Sequence, residues 1–205
     1  MSDPRPCRRS PRNRSAALEP SALEHLEVIR QTMERSTAFT AISGWGYVAM
    51  GLTALVAAPI ALRQTTIQGW VAVWLAEALV AVTLALVAMH WKASHLGTAI
   101  LSVPGRRLFV GLLPALFAGG VMTVALIRAS DPRQIPGVWL LLYGVAVMQA
   151  GAFSVRTIPV MGAVFVLAGA IALPLPWWWA NVMLALGFGL VHIAFGAYIA
   201  RRHGG

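Results

Sequence analysis

The chain has 205 residues, of which 58% are hydrophobic and 11% charged, with a formal net charge of +9. Soluble domains are about a quarter charged, and here the apolar residues form long runs rather than short periodic patches, so water is excluded as the main solvent. Cys7 is the single cysteine, which rules out an intramolecular disulfide.

Residues 1–18 hold Arg5, Arg8, Arg9, Arg12 and Arg14 with Pro4, Pro6 and Pro11, and almost no apolar side chains. Such a segment buries too little to offset the entropy of ordering, so a disordered basic cytoplasmic tail is expected. Over 19–38 the pattern changes. Ser21-x-x-Glu24 has capping-box spacing, and Leu23, Leu26, Ile29 and Met33 recur at helical intervals. This predicts an amphipathic cytoplasmic or interfacial helix. The first long apolar run begins near Phe39, too late for a cleavable secretory signal.

Six apolar segments follow within a membrane domain of 39–200: Phe39–Leu62, Trp70–Met89, Leu108–Ile127, Val138–Val155, Ile158–Leu173 and Trp178–Ala200. Each is near the ~20 residues that cross a hydrocarbon core of about 30 Å. The fifth is the shortest and begins Ile158-Pro159, which leaves a re-entrant or tilted path open. Between the second and third, Met89–Val103 is expected to extend the second span and to lie along the inner surface as an interfacial helix before Pro104-Gly105-Arg106-Arg107 turns the chain back. Residues 201–205 form a short cytoplasmic end. The fold class is therefore an all-α polytopic helix bundle of about six transmembrane helices.

Cytoplasmic loops carry an excess of Lys and Arg. With both termini inside, the seven arginines before the first span, Lys92, Arg106, Arg107, Arg156, Arg201 and Arg202 lie inside, and only Arg63, Arg128 and Arg133 lie outside. This distribution accounts for the positive charge through lipid topology, anionic lipid at the basic tail included, and nucleic acid is not expected as a partner. Trp70, Trp74, Trp139 and Trp177-Trp178-Trp179 fall at the outer ends of spans, where indoles anchor at headgroup level. Ala115-x-x-x-Gly119, Ala146-x-x-x-Ala150 and Ala185-x-x-x-Gly189 offer faces for close helix approach, and Pro59 and Pro114 lie within spans.

Ionisable groups inside hydrocarbon cost about 3 kcal/mol on insertion scales, so each is a candidate for function. Glu77 and His192 stand out. Glu77 shares the outer half of the membrane with Thr123 and Asn181, and is open to two readings: a proton- or cation-binding carboxylate in a polar cavity, or a structural partner of Arg63 or Arg128. His192 lies at a depth similar to Thr83 and Gln149, so these three are expected to form a polar layer if their helices face one another. A haem held by His90 and His192 is a further possibility on ligand type alone. No phosphate loop, zinc motif or cysteine pair is present, and no catalytic residue, metal or cofactor is assigned.

Ile29-Arg30-x-Thr32-Met33-Glu34 with Ser43-Gly44-Trp45-Gly46, Pro136-Gly137-x-Trp139-Leu140-Leu141-Leu142-Tyr143-Gly144, Ser154-Val155-Arg156 with Pro159-x-Met161-Gly162, and the ending Ile199-Ala200-Arg201-Arg202-His203-Gly204-Gly205 resemble a family of bacterial six-span inner-membrane proteins to which no activity is assigned. The resemblance implies a bacterial inner-membrane location and carries over no functional residue. Two functions stay open. One is a non-catalytic membrane scaffold or sensor whose amino-terminal helix meets a cytoplasmic partner, with a homo-oligomer allowed. The other is a small-solute or proton-coupled transporter or channel using Glu77 and His192.

Overall fold

The computed structural model describes residues 43–95, 103–151 and 156–203. The basic tail and the amphipathic helix expected over 1–38 lie outside the described residues. Among those described there is no strand, and the helices run in order α1 (Gly44–Leu62), α2 (Ile67–His95), α3 (Val103–Arg128), α4 (Ile135–Gly151), α5 (Thr157–Ala172), α6 (Ala180–Leu184), a π-helical segment (Ala185–Val191) and α7 (His192–His203). The last three are consecutive and make one long apolar stretch, Trp177–Arg202. Five helices are long and apolar enough to cross a membrane, and the sixth apolar helix, Thr157–Ala172, is shorter. Its 16 residues rise about 24 Å, somewhat less than the usual hydrocarbon thickness.

Helix boundaries follow local chemistry. Ser43 caps α1 by accepting the Gly46 N–H on its hydroxyl at 3.2 Å, which satisfies one of the orphan amides of a helix start. Thr66 does the same for α2, taking the Gly69 N–H at 3.1 Å. Met89–His95 continues α2 as helix, the extension of the second span that the sequence leads one to expect. One expectation is corrected. Pro104-Gly105-Arg106-Arg107 is the opening turn of α3 rather than a loop, since proline is tolerated where its missing N–H would be unpaired anyway.

The bundle is built from two closely apposed antiparallel pairs. Gly44 and Gly51 of α1 face Gly196 and Gly189 of the last stretch, and Gly137, Gly144 and Gly151 of α4 face α5, where Gly169 and Gly162 lie opposite. Each row repeats every seven residues, which keeps successive glycines on one helix face. The approach is so close that a Cβ on Gly44 would stand 2.3 Å from the Ala200 amide nitrogen, and one on Gly144 2.7 Å from the Gly162 carbonyl oxygen. Small residues let backbones meet where lipid supplies no hydrophobic drive for association.

Helix α2 packs against α1, and α3 against α4, while α2 and α3, consecutive in sequence, make no extensive contact with each other. Buried in the interior are Phe165, Ile135, Leu140, Met161 and Leu184. The exterior is apolar as well: Leu79 is 69% exposed, Phe117 75% and Leu167 64%. A protein greasy on its outside is solvated by lipid, and a lipid bilayer is its environment.

Candidate functional site

The space left between α2 and α3 is a cavity of about 570 Å³, floored by α1, α4 and the π-helical stretch. That is within the range of small-molecule sites. Its rim includes Leu75 (54% exposed) and Leu116 (46% exposed), so it opens sideways onto the apolar exterior. The lining is mostly aliphatic and aromatic, and Glu77, Thr123, Tyr143 and His192 bring the main polar atoms to it.

Glu77 is ten residues into α2, about 15 Å along the helix, and is partly buried. Its Oε1 accepts a hydrogen bond from the Thr53 hydroxyl of α1 at 2.9 Å. That hydroxyl is also within reach of the Met50 carbonyl oxygen at 2.9 Å, so it is held on the face of α1 that meets α2. Among the described residues Glu77 makes no ion pair. Neither Arg63 nor Arg128 reaches it, and the ion pair found is Arg133 with Asp131 at 2.9 Å in the turn before α4. The structural partnership with Arg63 or Arg128 is thus not formed. In that exposed turn the Arg133 guanidinium, hydrogen-bonded to Asp131, holds the Asp131 carboxyl below its usual range.

His192 is 2% exposed and both ring nitrogens are engaged. Its Nδ1 lies 2.9 Å from the Phe188 carbonyl oxygen. A carbonyl only accepts, so Nδ1 carries the proton. Nε2 lies 2.7 Å from the Tyr143 hydroxyl, which donates to it in the neutral ring. The local backbone explains the arrangement. The His192 amide bonds Gly189 O rather than the Phe188 carbonyl that the α-helical pattern would give it, and the imidazole of the same residue reaches that carbonyl. The side chain thus bonds to the π-helical segment directly before it, and such segments are frequent at functional sites. Phe165 and Phe188 close around the ring, at centroid distances of 5.1 and 6.2 Å. With both nitrogens bonded, haem ligation by His192 would first have to break one of these bonds.

The remaining candidates separate into two groups. Thr123 lines the cavity, donates to Gly119 O at 2.7 Å and accepts the Trp139 indole N–H at 2.8 Å, tying α3 to α4. Asn181 sits apart, at the tryptophan-rich end, where its Oδ1 accepts both the Trp70 and Trp74 indoles at 2.8 and 3.1 Å. Trp70 and Trp74 are 2% and 3% exposed, so they face the bundle rather than anchoring at headgroups. Trp178, by contrast, is 74% exposed.

The polar layer of His192, Thr83 and Gln149 is not formed. Thr83 is exposed and donates to Leu79 O of its own helix at 2.8 Å. Gln149 is exposed on α4. The actual partner of His192 is Tyr143, which sequence reasoning missed. Its signal was a tyrosine in the middle of an apolar span, away from the interfaces where Tyr normally sits. Thr53 was missed because a lone hydroxyl inside a span can satisfy itself on its own helix.

No group of three His, Cys, Asp or Glu side chains converges among the described residues. Comparison of the chain with protein-family models, with curated proteins and with solved structures returns no match.

Proposed function

We propose that this protein is a non-catalytic sensor component of a bacterial inner membrane, which binds a bilayer-soluble small molecule in the groove between α2 and α3. One observation carries the reading. Two helices adjacent in sequence stand apart around about 570 Å³ of mainly apolar space, with a few polar atoms on its walls and floor. Such a site takes an apolar body from the lipid and orients it by a few polar contacts. Both termini lie in the cytoplasm in this proposal, as the positions of Lys and Arg favour. The basic tail meets anionic lipid, and the segment 19–38 meets a cytoplasmic partner to which occupancy is relayed. A second copy of the chain is compatible with this arrangement.

A second reading, proton-coupled transport of a small solute, is favoured by the single fact that Glu77 and His192 wall the same cavity. It ranks lower because the lining is mostly apolar and His192 is already saturated by Tyr143 and Phe188.

The test uses a small uncharged aryl diazirine, photoactivated with the full-length protein in lipid nanodiscs. Labelling is expected to concentrate on cavity-lining stretches of α2 and α3, above the density found at lipid-facing Leu79 and Phe117. It should drop there in Gly120→Trp, since a Cβ at Gly120 meets nothing within 4 Å and an indole has room to fill the groove. Uniform labelling of groove and exterior would remove the basis for a binding site.

A further inference from the structure

We infer that the ligand of this groove is a lipophilic cation, recognised by the Glu77 carboxylate and the aromatic rings around it; the inference rests on the binding reading above. Charge complementarity selects the class. Glu77 is the acidic side chain of the lining, no Lys or Arg joins it there, and no described cation pairs with it. Its Oε1 is held by Thr53, while Oε2 has no hydrogen-bond donor among the described residues.

The other titratable groups facing the cavity do not supply a positive charge. His192 donates from Nδ1 and receives the Tyr143 hydroxyl at Nε2, the pattern of a neutral ring. An anionic ligand would therefore meet a carboxylate and no compensating cation, at large cost in a medium of low dielectric. A cation meets the carboxylate together with Trp74, Trp139, Tyr143 and Phe188, all part of the lining. Ring faces attract cations, most of all when water is excluded. A compact, strongly hydrated ion gains little from aliphatic walls, whereas a bulky organic cation with apolar substituents fills them and reaches the site through the lipid.

The probe is tetraphenylphosphonium, with tetraphenylborate as the size-matched anion and triphenylmethanol as a neutral control. Binding to the full-length protein in nanodiscs is measured by equilibrium dialysis, with empty nanodiscs subtracted. Tetraphenylphosphonium is expected to bind best and to protect the groove from the diazirine. Glu77→Gln should weaken it by at least about tenfold, the usual worth of a charged contact, and Glu77→Asp by less. Glutamine retains a carbonyl for the Thr53 hydroxyl, and an unchanged gel-filtration profile shows that the variant is folded. Gly120→Trp, with Glu77 intact, should abolish binding. Equal binding of all three probes, or full cation affinity in Glu77→Gln, overturns the cation assignment and leaves the groove as a binding site. Preference for the anion overturns it too. If no probe protects and the diazirine fails to mark the groove, both readings fall together.

Discussion

Substituting valine for Gly144 is expected to cost about 3 kcal/mol or more of stability and to sharply reduce the yield of monodisperse protein in detergent. The added atoms have no space, because a Cβ alone would lie 2.7 Å from both the Gly162 carbonyl oxygen and the Val166 amide nitrogen. Both obstacles are backbone, so relief requires α4 and α5 to separate, and that separation would undo neighbouring contacts along the whole row. Gly120→Ala is the matched control: nothing lies within 4 Å of its added carbon, and its thermal unfolding should be near that of the parent. If Gly144→Val and Gly120→Ala unfold at similar temperatures, the close apposition of α4 and α5 is wrong.

A second large effect is expected at the tryptophan-rich end. Asn181→Leu keeps the approximate volume but leaves two buried indole N–H groups, those of Trp70 and Trp74, without their acceptor. The combined loss should be about 2–3 kcal/mol, given that a buried donor left unpaired costs roughly 1–3 kcal/mol and that bonds between membrane helices fall toward the low end. Trp70 also stacks on Trp139 at 5.8 Å and packs on Trp177 at 4.8 Å, so the near-ultraviolet circular dichroism of the aromatic cluster should change with it. Trp178→Ala, at a 74% exposed position, should stay within about 0.5 kcal/mol of the parent. An Asn181→Leu protein with unaltered aromatic signal and stability would show that the asparagine does not join α2 to the last helical stretch.

The helical rods were legible in the sequence because hydrocarbon obliges every backbone amide to find a partner within its own segment. The run of apolar residues thus maps almost directly onto α1 through α7, including the short fifth rod. Lateral arrangement was less legible. The expected layer of His192, Thr83 and Gln149 rested on depth along each helix, and depth says nothing about azimuth. At about 100° per residue, Thr83 lies six residues and about 240° around α2 from Glu77, and Gln149 is displaced by the same amount from Tyr143 on α4. Both therefore point away from the groove that Glu77 and Tyr143 line.

The glycine rows show the complementary lesson. The sequence offers four-residue spacings such as Ala146-x-x-x-Ala150, whereas the close helix-pair approaches use glycines seven apart, Gly44 with Gly51 and Gly137 with Gly144 and Gly151. Those seven-residue periods are present in the sequence. The π-helical segment had no comparable signal, since the His192 contacts beside it, with the Phe188 carbonyl and with Tyr143 on another helix, are made only in the folded bundle.

An open groove requires α2 and α3 to stand apart, and paired cysteines test this most directly. In a Cys7→Ser background, Gly111→Cys with Ala150→Cys joins positions in contact between α3 and α4, where a Cβ at Gly111 lies 3.6 Å from the Ala150 Cα. Ala78→Cys with Ala115→Cys instead spans the groove, both positions being part of its lining. Disulfides form only when Cα atoms come within about 7 Å. Oxidation in nanodiscs is expected to link the first pair and leave the second as free thiols, and efficient linkage of the second pair would contradict an open groove.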